Sequence, residues 1–483
     1  MGKLSATLLV CSVVTVMAQT VTGPGQGAPP PRPEPAAIPS GATQQSNPFM
    51  GSVPSGESAA GQVSLSLQDA IQRGLRFNLG LLVGNQATRS ARAAELRARA
   101  ALLPLLSGRV SDTYEMVNLA AFGFNFSFPG ISIPTIVGPF NVFDARAYLS
   151  QSVLDFTAIR NRRAATESAR ASDLTQRDAR DVVVQLVASA YLQIVADDAR
   201  ITEVQTEVNT AQTLYQRAVD MKNAGLTPAI DALRAQVELQ SEQTRLRGLQ
   251  NDRAKDMLSL ERLIGIPLEQ AVALNENVPY APLAALSPQT ALERALHDRP
   301  DYQAITAQLR AAEASKSAAI AERLPAVDLN ADYGTIGPSL WSNHGTFTLT
   351  GSVRMTLFDS GRIRADIEQA DALVEQRKAE QSDLRQRIDQ DVRNALLDLQ
   401  TAADQVEVAR SSVDLARQTL TQAQDRFTAG VADNLEVVQA QNTVANASET
   451  YIASVYAHNI AKVELARALG IADQGIREFL GGK

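Results

Sequence analysis

Apolar side chains follow two rhythms along this chain, and the clearest example of each lies in its second half. From Thr346 to Leu357 the odd positions are Phe347, Leu349, Gly351, Val353, Met355 and Leu357, and the even ones are Thr346, Thr348, Thr350, Ser352, Arg354 and Thr356. A period of two predicts a strand with one apolar and one polar face. Further on, Ile388, Val392, Ala395, Leu399, Ala402, Val406, Ala409, Val413, Ala416, Leu420, Ala423 and Phe427 are spaced alternately by four and three. This heptad seam predicts a helix from about Gly361 to Thr428, roughly 100 Å long at 1.5 Å per residue. A turn at AGVADN follows, and the helix returns from Leu435 to Leu469. Together these form one long helical hairpin.

The same order occurs earlier. LSLQDAIQRGLRFN from Leu65 recurs as LSPQTALERALHDR from Leu286, and Leu103-Pro104 recurs as Leu324-Pro325, both at a spacing of 221. AGLTPAID at Ala224 matches AGVADNLE at Ala429, and LIGI at Leu263 matches ALGI at Ala468, both at a spacing of 205. A fixed spacing over so much of the chain marks an internal duplication. The drop of 16 between the two spacings places an insertion in the first copy, in the Phe-rich stretch near 118–142. Each copy then reads as a helix (about 66–102 and 287–323), a Leu-Pro stop, two strands and a long hairpin. In the first copy Ala145, Ala147, Leu149 and Val153 alternate with Asp144, Arg146, Ser150 and Ser152. Its seam runs through Val183, Val187, Ala190, Ile194, Ile201, Val204, Val208, Ala211, Tyr215 and Ala218, and is broken by Asp197 and Lys222.

The remaining segments bound the architecture. Residues 1–18 carry Lys3, an apolar run from Leu4 to Met17 and small residues before Gln19, the pattern of a cleaved signal peptide. Residues 19–62 are dominated by Pro, Gly, Ser, Ala and Gln and are expected to form a flexible leader. The first repeat is assigned to 63–270, a linker to 271–285, the second repeat to 286–472 and a tail to 473–483. The one cysteine, Cys11, falls within the signal peptide, so the mature chain is expected to have no thiol for a disulfide, metal or nucleophile. No other segment offers 18 consecutive apolar residues, so entry into a membrane would have to use strands.

Composition narrows the function. Only 5% of the 483 residues are aromatic, which favours long helices over a compact enzyme. The net charge of −7 and the lack of a basic stripe disfavour nucleic acid. His297, His344 and His458 are scattered without metal-ligand spacing, and no Gly-rich phosphate loop follows a strand. No catalytic, cofactor or metal residues are assigned, and no enzymatic role is expected.

Four strands per chain cannot close a barrel, and an open sheet edge in lipid leaves unpaired backbone groups. Three copies would supply twelve strands, enough to enclose a water-filled lumen faced by the polar row, with the apolar row on outer-membrane lipid. The fold class expected is thus mainly α with a small β part: duplicated helical hairpins plus four strands per chain in a trimeric 12-stranded barrel. A periplasmic adaptor or a structural coiled-coil protein is the alternative. An adaptor, however, should carry one hairpin flanking a small β-rich domain.

Over about 420 residues the chain resembles the TolC-like outer-membrane efflux family. The match rests on RFTAGVADNLEVVQAQ (Arg426 to Gln441), TLFDSGR (Thr356 to Arg362), the terminal ALGI, and the order and repetition of these parts. The resemblance implies a homotrimeric export duct of a tripartite efflux or type I secretion system. Its implied partners are a periplasmic adaptor (membrane fusion protein) and an inner-membrane transporter. It implies adaptor docking at the hairpin tips, Gly225-Leu226-Thr227 and Gly430-Val431-Ala432, although the left-handed turn alone explains the glycines. It also implies a periplasmic entrance gate of Asp231 and Glu436, with Gln439 where TolC itself carries a second acid. The competing reading is two solvated acids at helix N-termini, favoured by the macrodipole. The first tip departs from the pattern, with Met221-Lys222 where the second has Arg426-Phe427.

Overall fold

The computed structural model describes residues 47–54, 61–123, 127–128, 131–132, 134–275, 280–284, 286–429, 431–432 and 434–480; the predicted signal peptide and the first 28 residues of the leader lie outside them. In the first repeat, β1 (Val63–Leu65) leads into α1 (Leu67–Phe77) and α2 (Leu79–Ala100). Then come β2 (Leu105–Asn118), a short ribbon of β3 (Ser127–Phe128) and β4 (Ile131–Ser132), β5 (Ile136–Leu154), α3 (Phe156–Asn223) and α4 (Ala229–Ile264). After β6 (Val272–Leu274) the second repeat supplies α5 (Pro288–Asp298), α6 (Pro300–Ala321), β7 (Ala326–Ser339), β8 (Ser342–Arg354), α7 (Arg362–Thr428) and α8 (Asn434–Ala468), and α9 (Ala472–Leu480) closes the chain.

Four strands make one antiparallel sheet in the order β2-β5-β7-β8. Its register turns the sequence alternation into two faces, because residues directly opposite each other share a face. One row runs Leu106, Leu149, Ala331, Leu349, and the next Gly108, Ala147, Tyr333, Phe347. The row between them, on the opposite face, runs Ser107, Tyr148, Asp332, Thr348. Over these rows one face is apolar and the other polar, although nearer the β2-β5 connection the apolar face also carries Asp112 and Asn141, hydrogen-bonded to each other. On the polar face Arg146 bridges two strands, donating to Asp144 on its own strand and, at 3.0 Å, to Asp332 on the next. Among the described residues the outer strands β2 and β8 each have one edge without a partner strand.

The helices continue the sheet. Next to the strands they lie side by side in the order α2-α3-α6-α7; farther away α4 and α8 replace α2 and α6, giving α4-α3-α8-α7. The two long helices α3 and α7 thus run the full height of a four-helix wall. Most of the predicted α7 seam is buried: Ile388, Val392, Ala395, Ala402, Val406, Ala409, Val413, Ala416 and Ala423 are, while Leu399, Leu420 and Phe427 are half-buried. Alanines at alternate seam positions let the helices approach closely, while each buried valine contributes about 1.5–3 kcal/mol. A belt at mid-height holds the larger core, where Tyr191, Leu260, Ile264 and Val463 pack with α1, α9 and the β1-β6 pair. One stretch of α3 is apolar enough to pass a composition test for a membrane span, but half of it is buried against other helices.

Several expectations change. Each leading helix is two helices: Asn78, fully buried, takes extended geometry and caps α2 by accepting from Gly80, and Pro300 opens α6 after an extended Arg299. The end of the leader is ordered. Phe49 packs against the start of α2, Asn78 donates to its carbonyl at 2.7 Å, and Leu79 donates to Gly51. The linker supplies β6, paired in parallel with β1. The tail supplies α9, which is amphipathic and buries Phe479 and Leu480. β8 stops at Arg354, three residues short of the alternating run, because its partner strand β7 begins at Ala326 just after Pro325. The insertion is the β2-β5 connection, which forms a 3-10 turn (Leu119–Phe122) and the β3-β4 ribbon where the second copy has only Leu340-Trp341.

Candidate functional site at the hairpin tips

At the first tip, α3 ends on Ala224, and Gly225 takes a left-handed conformation (φ 75°). Leu226 donates to Met221 O at 2.9 Å and Gly225 to Lys222 O at 3.0 Å, which satisfies the last helical carbonyls. The second tip repeats the Leu226–Met221 bond, Val431 donating to Arg426 O at 3.0 Å. Gly430 lies outside the described residues. Leu226 and Val431 are exposed, and Thr227 and Ala432 are half-buried. Behind the tips, Ile230, Leu233 and Val237 of α4 and Leu435 and Val438 of α8 line a shallow apolar groove. Geometry alone explains the glycine; the exposed leucine, isoleucine and valines carry no such explanation, since a turn between helices does not call for them.

The candidate entrance acids occupy the first turns of α4 and α8. Asp231 is only 18% exposed and lies 3.7 Å from Arg234 one turn on. Glu436 lies 3.3 Å from Arg426 across the turn. Gln439 is exposed. Each acid therefore has an arginine of its own chain as partner, which the sequence reading did not foresee. The signal was present as the i,i+3 spacing of Asp231 and Arg234. The Arg426–Glu436 pair depends on the turn folding back and had no such signal.

The polar face of the sheet holds a second group of charges. Beside the Asp144-Arg146-Asp332 cluster, Arg109 stands directly opposite Arg146, and Arg354 lies 3.5 Å from Asp328. The histidines stay apart: His297 is exposed beside Asp298, His344 lies in β8, and His458 is buried against Tyr280. Among the described residues no group of three His, Cys, Asp or Glu is arranged to hold a metal ion.

Comparison with known proteins agrees with this architecture. The family model for outer membrane efflux proteins matches residues 70–266 and 291–471, which are the two repeats. A probable efflux pump outer membrane protein, TtgC, of Pseudomonas putida is 26% identical over 414 residues, covering 84% of this chain and 83% of the relative. The pyoverdine export outer membrane protein OpmQ of Pseudomonas aeruginosa is 24% identical over 432 residues, 86% of this chain and 87% of its own. Among solved structures, the outer membrane protein VceC of Vibrio cholerae superposes with a TM-score of 0.72 at 19% identity, covering 84% of this chain and 96% of that one.

Proposed function

From the premise that this chain belongs to the outer membrane efflux protein family, and so is an outer-membrane efflux channel protein, we propose that three copies close one continuous duct that passively conducts substrates outward. The observation that carries this is the open sheet. It has one apolar and one polar face and two unpaired edges, and it runs without a break into a four-helix wall. Antiparallel alternation lets β8 of one copy pair with β2 of the next, which removes the edges that lipid cannot satisfy. Twelve strands then enclose a lumen lined by the polar rows and the Arg146 cluster. On the helical wall α7 is an edge helix, and its exposed Leu397, Val408 and Leu415 give a neighbouring copy an apolar face to cover.

In this duct the hairpin tips are the periplasmic entrance. Asp231, Glu436 and Gln439 line it, and the exposed Leu226 and Val431, with Gly225, Thr227, Gly430 and Ala432, meet a periplasmic adaptor that connects to an inner-membrane transporter. The apolar groove behind the tips supports that docking, because it is open to solvent in the single chain. The protein purified from outer membranes should have the mass of a trimer by light scattering; a monomer with its strand structure intact would contradict the duct. Replacing Asp231 and Glu436 together with alanine removes two acids per chain and leaves Arg234 and Arg426 unopposed. In planar bilayers the double variant should lose any cation preference and shift toward anions. Unchanged selectivity would return both acids to simple surface pairs.

A further inference from the structure

The two hairpins are related by the 205-residue repeat, yet their seams differ in chemistry. Asp197 is 5% exposed in α3, and its carboxyl is within hydrogen-bond reach of Asp256 on α4. Ten residues on, Glu207 faces Glu242, which is 9% exposed, in the same way. The repeat places Ala402 and Ala461 where the first pair stands, and Ser412 and Ala447 where the second stands. Asp197 Oδ2, Glu207 Oε1 and Glu242 Oε2 are buried oxygens with no hydrogen-bond donor. Two carboxylates cannot share a buried seam when both are ionised; with one proton between them they form a hydrogen bond.

Among the described residues the elements facing these pairs supply few cations that could make the protons unnecessary. Around Glu207 and Glu242, α3 adds Glu203, α4 adds Glu238 and Arg245, α7 adds Arg417, and α8 adds Gln441 and Asn442. Arg245 lies 2.9 Å from Glu207 and 3.7 Å from Glu242, but it is shared with Glu449 of α8 at 3.9 Å; Arg417 lies 3.7 Å from Glu203. Around Asp197 and Asp256, α3 adds Gln193 and Arg200, and α8 adds Tyr456 and Glu449; Arg200 lies 3.1 Å from Asp197 and 2.9 Å from Glu449. Acids outnumber cations at both places. The four-helix cavity of about 280 Å³ beside the glutamates leaves room for water to enter once the seam opens.

We propose that the seam of the first hairpin is a proton-sensitive part of the tunnel wall, closed by shared protons at Asp197–Asp256 and Glu207–Glu242, while the equivalent seam positions of the second hairpin, Ala402, Ala461, Ser412 and Ala447, carry no acid to titrate. Burial pushes the Glu207 carboxyl up from its ordinary 4.5 to about 7, with Arg245 opposing and Glu242 and Glu203 adding to the rise. Burial also raises Asp197, and Asp256 raises it further. A carboxyl raised on folding favours the folded seam below its ordinary value and loses that contribution as pH climbs through the folded value. Around Glu207 the α3/α4 seam is therefore tight near pH 5 and loosened near pH 8, and Asp197 shifts in the same direction.

Hydrogen–deuterium exchange of the full-length protein from pH 5 to pH 8, corrected for intrinsic exchange, tests this. Peptides spanning 195–210 and 238–258 should open on the order of tenfold more at the high end, as one displaced pKa unit implies. The mirrored peptides at 400–415 and 443–454, which stop short of the buried His458 and Lys462, should not respond. The Glu207→Gln/Glu242→Gln variant, neutral at all pH, should lose the response near 207 and 242. Equal responses in both hairpins, no response in either, or a response near those residues that survives the substitution would each overturn the proposal. The wild-type contrast stands even if the variant folds poorly.

Discussion

The α3-α4 and α7-α8 hairpins answer one architectural demand in two ways. Both keep the tip geometry, a left-handed glycine near their far end and a helix seam in register. The second hairpin closes its seam with Val406, Ala409, Val413 and Ala416, whereas the first sets carboxyl pairs and arginine bridges among Val204 and Ala211. A duplicated fold can therefore be held by backbone geometry and seam spacing alone, while the chemistry within the seam drifts. The apolar seam holds no carboxyl pair to titrate; the acidic one depends on protons, because burying charge costs far more than burying methyl groups contributes.

The strongest way to break the contrast is to graft the acids onto the second hairpin. Ala402 and Ala461 are buried. Ala402→Asp with Ala461→Asp should destabilise the protein by about 4 kcal/mol at pH 8 and markedly less at pH 5, read as thermal loss of helix by circular dichroism. A next, smaller effect tests the shared geometry. Gly470 (φ 74°) ends α8, and a Cβ there would lie 2.7 Å from the Arg299 Cα; Gly265 (φ 73°) ends α4, where the Cβ would meet Phe77 Cβ at 2.8 Å. Gly470→Ala should cost about 3 kcal/mol and Gly265→Ala somewhat less, since a side chain yields more readily than backbone. The reverse graft, Asp197→Ala with Asp256→Ala, makes the first hairpin resemble the second. It should stabilise by about 1 kcal/mol at pH 8 and flatten the pH dependence of melting, provided the freed Arg200 keeps its bond to Glu449.

Much of this was legible from spacing. The α7 seam, the return helix and the faces of the sheet follow from periods of 3.5 and 2, because each reports which side of an element meets the core. Asp197 was visible as a break in the first seam, but its partner Asp256 was not, since the pairing depends on how two antiparallel helices slide past each other. For the same reason the spacing of Asp144 and Arg146 put both on the polar face, while the contact to Asp332 needed the strand register. The ends were misjudged for a different reason. Phe49 and Phe479 are single aromatic anchors in otherwise weakly apolar segments, and composition averages over a segment while docking requires only one well-placed ring.

The mildest test concerns the tips themselves, where both hairpins keep the bond that closes the turn. Gly225 is left-handed, and a Cβ built on it meets nothing within 4 Å, so only backbone strain opposes a larger residue there. Gly225→Ala should cost roughly 1 kcal/mol, the ordinary penalty for alanine at positive φ. Because the tip lies far from the belt core, that cost should appear as local fraying and leave the global melting midpoint unchanged. Hydrogen exchange at Leu226 and Gly225, whose amides close the turn on Met221 and Lys222, should quicken by roughly fivefold while peptides around Tyr191 stay protected. If the whole hairpin down to Asp197 opened together, the carboxyl pairs and the tip would form one cooperative unit, and the turn would help hold the acidic seam closed. If exchange stays confined to the turn, the seam's stability is its own, and the contrast between the hairpins rests on the buried acids alone.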